Sequence, residues 1–298
     1  MQYHLLKSVT PHCFAICLFG MLFLTGCNQN GNQEANNQPL NKNTMEGTFQ
    51  ELQAQIKEKH ISRQQSDFEF GGTKHIVSYA ADSNQTGKRP GIVVLPEWWG
   101  LNAYVKDRAA MLAGLGYAAM AVDMFGEGMI AHNPTEAMAL TKPYGSNAAL
   151  VRDVVEAAIA KLKTYPEVDS SKIAVIGFCF GGYAAITAAT SGADVVAAVG
   201  FHPSLGGITP QAGAKAKVLV CHGLEDEFEK DNVAPFKSKM DNAGVNYLFK
   251  DYADAKHGFT SPEADKNGKE FGIPVAYNAA ADSASWSDMK SFLISVFR

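Results

Sequence analysis

The fold of this chain is decided by residues 173–182, which read IAVIGFCFGG and run directly into the alanine-rich segment 183–189. The unbroken apolar run at the start is typical of a strand that is buried on both faces of a parallel sheet. Gly177 and Gly181 stand two residues before and two residues after Cys179, the spacing of a nucleophile elbow between a strand and a helix. The helix N-terminus that follows would also favour a thiolate. The alternative is a packing turn around a buried cysteine.

Apolar runs and amphipathic segments alternate on both sides of this turn. Besides 173–176, we predict strands at 92–95, 119–124, 195–199, 218–220 and 247–249, and helices at 103–115, 147–164 and 284–297. This alternation predicts an α/β fold, with a mostly parallel sheet and helices on both faces. Residues 64–81 contain two strand-like runs with no helix between them, so we expect an antiparallel hairpin at the N-terminal edge of the sheet.

Composition narrows the function classes. The chain has 298 residues, 46% of them hydrophobic, which is enough for one large core. Its formal net charge is −4 and it contains no basic run, which argues against a nucleic-acid partner. No motif indicates a metal or a cofactor, and we expect neither.

Five cysteines are too few for a disulfide framework, and only Cys179 and Cys221 belong to the globular part. The expected strand order places one strand between those that carry these two residues. Two strand spacings are about 9–10 Å, whereas a disulfide needs Cα atoms within about 7 Å. Both thiols are therefore predicted to be free.

Residues 1–26 have the pattern of an export signal. Lys7 supplies the positive charge, and the apolar segment 14–24 is shorter than the roughly 20 residues that span a bilayer. The segment ends in LTGC at 24–27, which resembles a bacterial lipobox and implies cleavage and lipidation at Cys27. An ordinary signal peptide or a short membrane anchor is the alternative.

A polar stretch rich in Asn and Gln follows at 28–43, as expected of a solvated linker. Residues 44–63 have a weak helical pattern and predict a leader helix, whose packing the sequence leaves open. The organisation is then a signal peptide (1–26), a lipidated linker and leader helix (27–63) and a catalytic domain (64–298). Asn28 gives no inner-membrane retention signal by analogy, so we expect anchoring in the cell envelope, in the outer membrane facing the periplasm.

Acidic and imidazole groups follow two further strands. Asp226 comes after the strand 218–220, with Glu225 and Glu227 as alternative acids, and His257 follows the strand 247–249. Reactive groups gather at the carboxyl ends of parallel strands, and the order nucleophile, acid, histidine is that of α/β-hydrolases. Since an unperturbed thiol is mostly protonated at neutral pH, it needs such a base. His257, oriented by Asp226, would supply it.

A fourth strand end, at residues 95–100, reads LPEWWG. With the cysteine elbow and the acid and histidine that follow it, this sequence resembles the dienelactone hydrolases over about residues 66–298. The resemblance implies that Glu97 lies beside the Cys179 thiol and helps to take its proton. It also implies that the backbone N–H groups of Trp98 and Phe180 form an oxyanion hole. Alternatively, Glu97 caps the following helix.

The resemblance does not include the arginines that bind the substrate in that family. Dienelactone hydrolases hold a substrate carboxylate with two arginines, but the matching stretches 123–127 and 258–262 contain none. An apolar, aromatic mouth suits a neutral ester, lactone or thioester. The further candidates for this pocket are Trp99, Phe125, Phe178 and His202. Aromatic residues are also ordinary core material, and His202 could instead lie in a surface loop.

Together these patterns predict a cysteine hydrolase of small esters or lactones. A thioesterase of the same fold is one alternative. A second is a non-catalytic envelope lipoprotein that binds a ligand in a retained hydrolase cleft. The elbow glycines and the complete set of triad residues argue against the binding protein, because binding alone has no physical need for them.

Overall fold

A computed structural model describes residues 46–298 of the chain. This part contains eight strands: β1 (Ile61–Phe70), β2 (Thr73–Asp82), β3 (Arg89–Leu95), β4 (Ala118–Val122), β5 (Val168–Phe178), β6 (Ala197–Phe201), β7 (Lys217–Gly223) and β8 (Tyr247–Tyr252). It also contains eight helices: α1 (Phe49–Lys57), α2 (Ala103–Gly114), α3 (Pro134–Thr141), α4 (Ala148–Leu162), α5 (Phe180–Thr190), α6 (Val233–Asn242), α7 (Ala264–Phe271) and α8 (Ala279–Phe297).

The strands form one sheet in the order β1-β2-β4-β3-β5-β6-β7-β8. β1 pairs antiparallel with β2, and β2 pairs antiparallel with β4, whereas all other neighbouring strands are parallel. The predicted mostly parallel sheet with an antiparallel N-terminal edge is confirmed. β6 lies between the strands that lead to Cys179 and Cys221, and both cysteines are free, as predicted.

Two apolar layers cover the sheet, one on each face. Along β3, the side chain of Val93 belongs to the layer that includes α4, α5 and α6, while Ile92 and Val94 belong to the layer with α1, α2 and α8. Neighbouring residues of a strand point to opposite faces, so a central strand that is apolar throughout fills both layers. The carboxyl ends of the parallel strands are left to carry the polar groups.

The residues before the predicted catalytic domain contain a helix and the start of the first strand. β1 begins at Ile61, three residues before the predicted start of the catalytic domain. α1 packs on α2 and α8 and buries Phe49, Leu52 and Ile56. The residues of β1 are mostly exposed because it is an edge strand, so its hydrophobic signal is weak. The predicted signal peptide, Cys27 and the linker to residue 43 lie outside the described residues.

Candidate active site

Cys179 occupies a strained turn between β5 and α5. Its backbone has φ 51° and ψ −115°, a conformation that few residues other than glycine adopt. A Cβ on Gly177 would collide with the backbone of Gly181, and a Cβ on Gly181 would collide with the backbone carbonyl of Leu95. The two glycines are therefore required by the close approach of backbone segments, as the sequence pattern suggested.

Hydrogen bonds to the neighbouring strand fix this turn. The Cys179 N–H donates to the carbonyl of Phe201 at the end of β6, at 3.0 Å. The Cys179 carbonyl accepts from the N–H of Tyr183 at 3.0 Å and from that of Ser204 at 3.4 Å. The backbone of the cysteine is thus held on both sides, which leaves its half-buried side chain at the carboxyl end of the sheet.

An acid and a histidine meet the cysteine at this edge. Nδ1 of His257 lies 2.7 Å from Oδ2 of Asp226, and the side chains of His257 and Cys179 are hydrogen bonded. Burial lowers the pKa of His257, but the charges of Cys179 and Asp226 and hydrogen bonds to both outweigh it and hold the pKa well above its usual range. Glu225 and Glu227, the alternative acids, are exposed.

Glu97 is a buried carboxylic acid on the same cavity wall. Its side chain accepts a hydrogen bond from Ser261 and is close enough to His257 to interact with its charge. Burial raises the pKa of Glu97 to about 7, despite the opposing effects of His257, of Ser261 and of Arg108. The N-terminus of α2 is capped by Asn102 instead, so the interpretation of Glu97 as a helix cap is wrong.

Two backbone donors next to the cysteine are unused. Within residues 46–298, neither the N–H of Trp98 nor that of Phe180 donates a hydrogen bond to a protein acceptor. Phe180 is the first residue of α5, where an N–H has no acceptor inside the helix. Free N–H groups near a nucleophile can stabilise a negatively charged oxygen.

These groups open into a cavity of about 270 Å³. Cys179, His257 and Glu97 form one part of its wall, and Trp98 and Trp99 form another. No lysine or arginine lines this cavity in the described part of the chain. The cavity can therefore hold a small molecule against a thiol, an imidazole and a carboxyl group, without a fixed positive charge.

Three predicted pocket residues do not reach the cavity. Phe178 is fully buried and stacks on Phe201 at 5.0 Å between ring centroids, on the sheet face that α1, α2 and α8 cover. Phe125 stacks on Phe180 in the opposite apolar layer, at 5.6 Å between ring centroids. His202 is fully buried, so it is not in a surface loop either. Of the four additional candidates, only Trp99 lies on the wall.

The sequence did not reveal several residues that form the cavity. Phe228 is 45% exposed and places its ring edge-to-face against His257, with 5.3 Å between centroids. Glu229 and Ser204 come from loops after β7 and β6, and the segment 261–275 contributes a further side of the wall. The N–H of Ala276 donates to the carbonyl of His257 at 3.2 Å, which ties the end of this segment to the site.

A buried polar network supports the loop that carries His257. The Thr260 hydroxyl lies 2.7 Å from both Nε2 of His202 and the hydroxyl of Tyr104. Nη2 of Arg108 donates to the Thr260 carbonyl at 2.8 Å and to Asp282 at 2.5 Å. Burial, followed by the charge of His257, lowers the pKa of His202 well below its usual range, so His202 is neutral. Arg108 is thus committed to an ion pair with Asp282 and does not line the cavity.

Residues 46–298 contain no cluster of three or more His, Cys, Asp or Glu side chains arranged to hold a metal ion. In the same range no helix is long and apolar enough to cross a membrane.

Known proteins provide an independent view of this arrangement. The model of the dienelactone hydrolase family matches residues 76–297. The protein usf of Aquifex pyrophilus is 30% identical over 210 residues, which are 68% of this chain and 89% of that protein. A putative carboxymethylenebutenolidase of Synechocystis is 27% identical over 235 residues, covering 72% of this chain and 89% of the relative.

A solved structure is also similar. It is a dienelactone hydrolase-like promiscuous phosphotriesterase from metagenomic libraries, with 33% sequence identity and a TM-score of 0.74, and the match covers 80% of this chain and all of that one. The family match spans the elbow, the acid, the histidine and most of the sheet. Sequence and fold therefore agree, and the chain belongs to the dienelactone hydrolase family.

Proposed function

We propose that this member of the dienelactone hydrolase family hydrolyses small esters or lactones that carry no carboxylate, with Cys179 as the nucleophile. The observation that supports this most directly is the chain of hydrogen bonds from Asp226 through His257 to Cys179, which ends at the wall of a cavity. A nucleophile, a base and a group that orients the base are the parts that acyl transfer requires.

In the first half-reaction, Sγ of the Cys179 thiolate attacks the carbonyl carbon of the bound ester. The electron pair of the C=O bond moves to the oxygen, where the N–H groups of Trp98 and Phe180 would stabilise the charge. As the oxyanion collapses, the bond to the alcohol oxygen breaks and protonated His257 gives its proton to that oxygen. The products are a thioester on Cys179 and a free alcohol, or the open hydroxy chain of a lactone.

In the second half-reaction, water attacks the thioester carbon while His257 takes one of its protons. The tetrahedral intermediate forms in the same oxyanion site and then expels the Cys179 thiolate. The carboxylic acid leaves, and His257 is again protonated beside the thiolate. Asp226 keeps the imidazole in the required orientation and stabilises its positive charge throughout.

Glu97 would act before the first step, by taking the thiol proton in molecules whose cysteine is still protonated. Its pKa of about 7, raised by burial, leaves a large fraction of this group ionised at neutral pH. A base with a pKa near the working pH is well matched to this task. Glu97 and Cys179 line the same cavity, which makes a direct proton transfer geometrically reasonable.

The cavity disfavours a substrate that carries a carboxylate. A substrate carboxylate would be taken out of water into a site whose wall, as far as residues 46–298 form it, has Glu97 and Glu229 but no lysine or arginine. Trp98 and Trp99 offer apolar contact instead, with their rings edge-to-face at 5.1 Å. These features suit an ester, lactone or thioester that carries no carboxylate.

Turnover of p-nitrophenyl acetate by the wild type, Cys179→Ala and Cys221→Ala would test the proposal. Cys221 is a fully buried cysteine outside the cavity, so its replacement controls for the loss of a thiol. We expect turnover in the wild type and in Cys221→Ala, and an acetyl thioester on the Cys179 peptide in rapid-quench mass spectrometry. Equal rates in the wild type and in Cys179→Ala would refute the mechanism. Saturable ester binding with no turnover would support the binding-protein alternative.

We also propose that the chain is exported and anchored through a lipid on Cys27, in the bacterial cell envelope and on the periplasmic side of the outer membrane. This proposal rests on the sequence LTGC at 24–27 and on the polar stretch that follows. When the wild type is expressed in a bacterium with two membranes, it should be found in the outer-membrane fraction. Its N-terminal peptide should begin at Cys27 and carry the added mass of a lipid. A Cys27→Ser protein with the same membrane distribution and the same processing would contradict it.

A further inference from the structure

Glu229 is a buried carboxylate on the cavity wall that the hydrolytic mechanism does not use. It follows β7, three residues after Asp226, and only 5% of it is exposed. Its Oε2 atom accepts two hydrogen bonds, from the N–H of Leu205 at 2.8 Å and from Nδ2 of Asn232 at 3.0 Å. Its Oε1 atom accepts none from residues 46–298. One oxygen is therefore engaged by the fold, and the other is available at the cavity.

The position of Glu229 links it to the nucleophile. Glu229 accepts a hydrogen bond from the N–H of Leu205, which directly follows Ser204. The N–H of Ser204 in turn donates to the carbonyl of Cys179. Glu229 is also near enough to His257 and Asp226 for their charges to act on it. A substrate that reaches Sγ of Cys179 would thus come within a short distance of this carboxylate.

The surroundings of Glu229 determine which groups can pair with Oε1. In the described part of the chain, the cavity wall has no lysine or arginine, and a second carboxyl group on it, that of Glu97, is hydrogen bonded to Ser261. Burial raises the pKa of Glu229, while its two hydrogen-bond donors lower it. A buried carboxylate with an unused oxygen is stabilised by any donor that enters, and a second anion would be repelled.

We propose that Glu229 selects the substrate: its Oε1 atom accepts a hydrogen bond from an ammonium or hydroxyl group of the ester, and it disfavours esters with a second carboxylate. The proposal rests on the hydrolytic function argued above and names its substrate class. A hydrogen bond between a carboxylate and a charged donor is stronger than a hydrogen bond between two neutral groups. The aromatic faces of Trp98 and Phe228 would favour the ammonium further.

The experiment compares three methyl esters of nearly equal shape. Methyl pentanoate ends in a methyl group, methyl 4-aminobutyrate replaces this group by an ammonium, and monomethyl succinate ends in a carboxylate. Butyl acetate, 3-aminopropyl acetate and 3-acetoxypropanoate repeat the comparison on the alcohol side, because the donor could be on either part of the ester. A pH-stat at pH 7.5 gives kcat/KM for the wild type, Glu229→Gln and Glu227→Gln. Glu227 is an exposed acid nearby, so its variant removes the same charge outside the cavity.

In at least one series we expect the wild type and Glu227→Gln to prefer the ammonium ester to the methyl-ended ester by about tenfold in kcat/KM. The carboxylate ester should be the poorest substrate. Glu229→Gln should lose this preference, and its kcat/KM on the carboxylate ester should rise relative to that on the methyl-ended ester. The glutamine keeps an oxygen for Leu205, so a purely structural role would lower all three rates together and leave their ratios unchanged.

Unchanged ratios in Glu229→Gln, or no preference in the wild type, would overturn the proposal about Glu229 and leave the hydrolytic function standing. Absence of turnover with every ester, including p-nitrophenyl acetate, would instead count against the hydrolytic function itself. Ethane-1,2-diol monoacetate ends in a hydroxyl group where propyl acetate ends in a methyl group. A preference of the wild type for ethane-1,2-diol monoacetate would identify a hydroxyl group as the donor to Glu229.

Discussion

Replacement of Glu97 by glutamine should make the protein more stable above pH 7 and less active. Glu97 is 7% exposed, and burial raises its pKa from 4.5 to about 7. Between these two pH values the native protein holds a proton on Glu97 that the unfolded chain has released. The free energy of unfolding therefore falls as the pH rises from about 4.5 to 7. Over this range the folded protein loses the Glu97 proton and must hold a buried negative charge, whereas the unfolded chain is already ionised.

The magnitude follows from the two pKa values. A rise from 4.5 to about 7 corresponds to about 3 kcal/mol of stability, present below pH 4.5 and lost above pH 7. Glutamine has nearly the same shape and does not titrate, so Glu97→Gln should not show this loss. At the same time kcat/KM should fall about 100-fold, as expected when a catalytic base is removed.

Urea unfolding of both proteins at pH 4.5, 5.5, 6.5 and 7.5 is the direct assay. The difference in unfolding free energy between Glu97→Gln and the wild type should grow by about 3 kcal/mol over this range. Glu156→Gln, on the exposed face of α4, controls for the loss of a surface charge and should show no such growth. Parallel stability curves for the wild type and Glu97→Gln would refute the argument that burial destabilises the ionised form.

Three further predictions concern the support of the site. Arg108→Met should lower the free energy of unfolding by about 3–5 kcal/mol, because it leaves Asp282 buried without its partner, and Asp282→Leu in the same chain should restore much of the loss. Urea titration measures both effects, and additive losses in the double variant would show that the pair is unimportant. Gly177→Ala should reduce esterase activity at least about 100-fold through backbone collision in the turn, and full activity would contradict that geometry. Iodoacetamide should alkylate Cys179 and spare Cys221, whose pKa burial raises to about 12; peptide mass spectrometry with equal labelling would oppose this.

The elbow was predictable from sequence because its signal is local. Backbone atoms of Gly181 exclude a side chain at Gly177, and the carbonyl of Leu95 excludes one at Gly181, so both requirements fall two residues from Cys179 and leave a recognisable spacing. The extent of β5 was not predictable in the same way. It runs over Val168–Phe178, but its first half is polar and partly exposed, so the hydrophobic pattern marks only residues 173–176.

Short helices with few buried residues escaped prediction for a related reason. α6 buries Phe236 and Met240 alone, and α7 buries only Ala264. Two or fewer apolar positions do not establish a helical period. Since α7 belongs to the segment that forms a side of the cavity, this part of the wall was missed with it.

Side-chain direction explains the errors in the pocket. Phe178 continues the alternation of β5, in which Ala174 and Ile176 face α1, α2 and α8, so its ring enters that layer. Counting this alternation from Ile176 would have placed Phe178 away from the cavity. Glu229 offered no comparable signal, because its burial depends on the loop at Leu205, far away in the sequence.

The helix that precedes the sheet determines where this protein can be shortened. The family match begins at residue 76, yet the N–H of Phe49 donates to Asp282 at 3.1 Å, and the ring of Phe49 lies 4.8 Å from the guanidinium carbon of Arg108. A recombinant version trimmed to the family limits would remove α1 and β1, uncover an ion pair and leave β2 without a partner on one edge. Expression vectors for crystallography should therefore start before Thr48, whose side chain caps the helix.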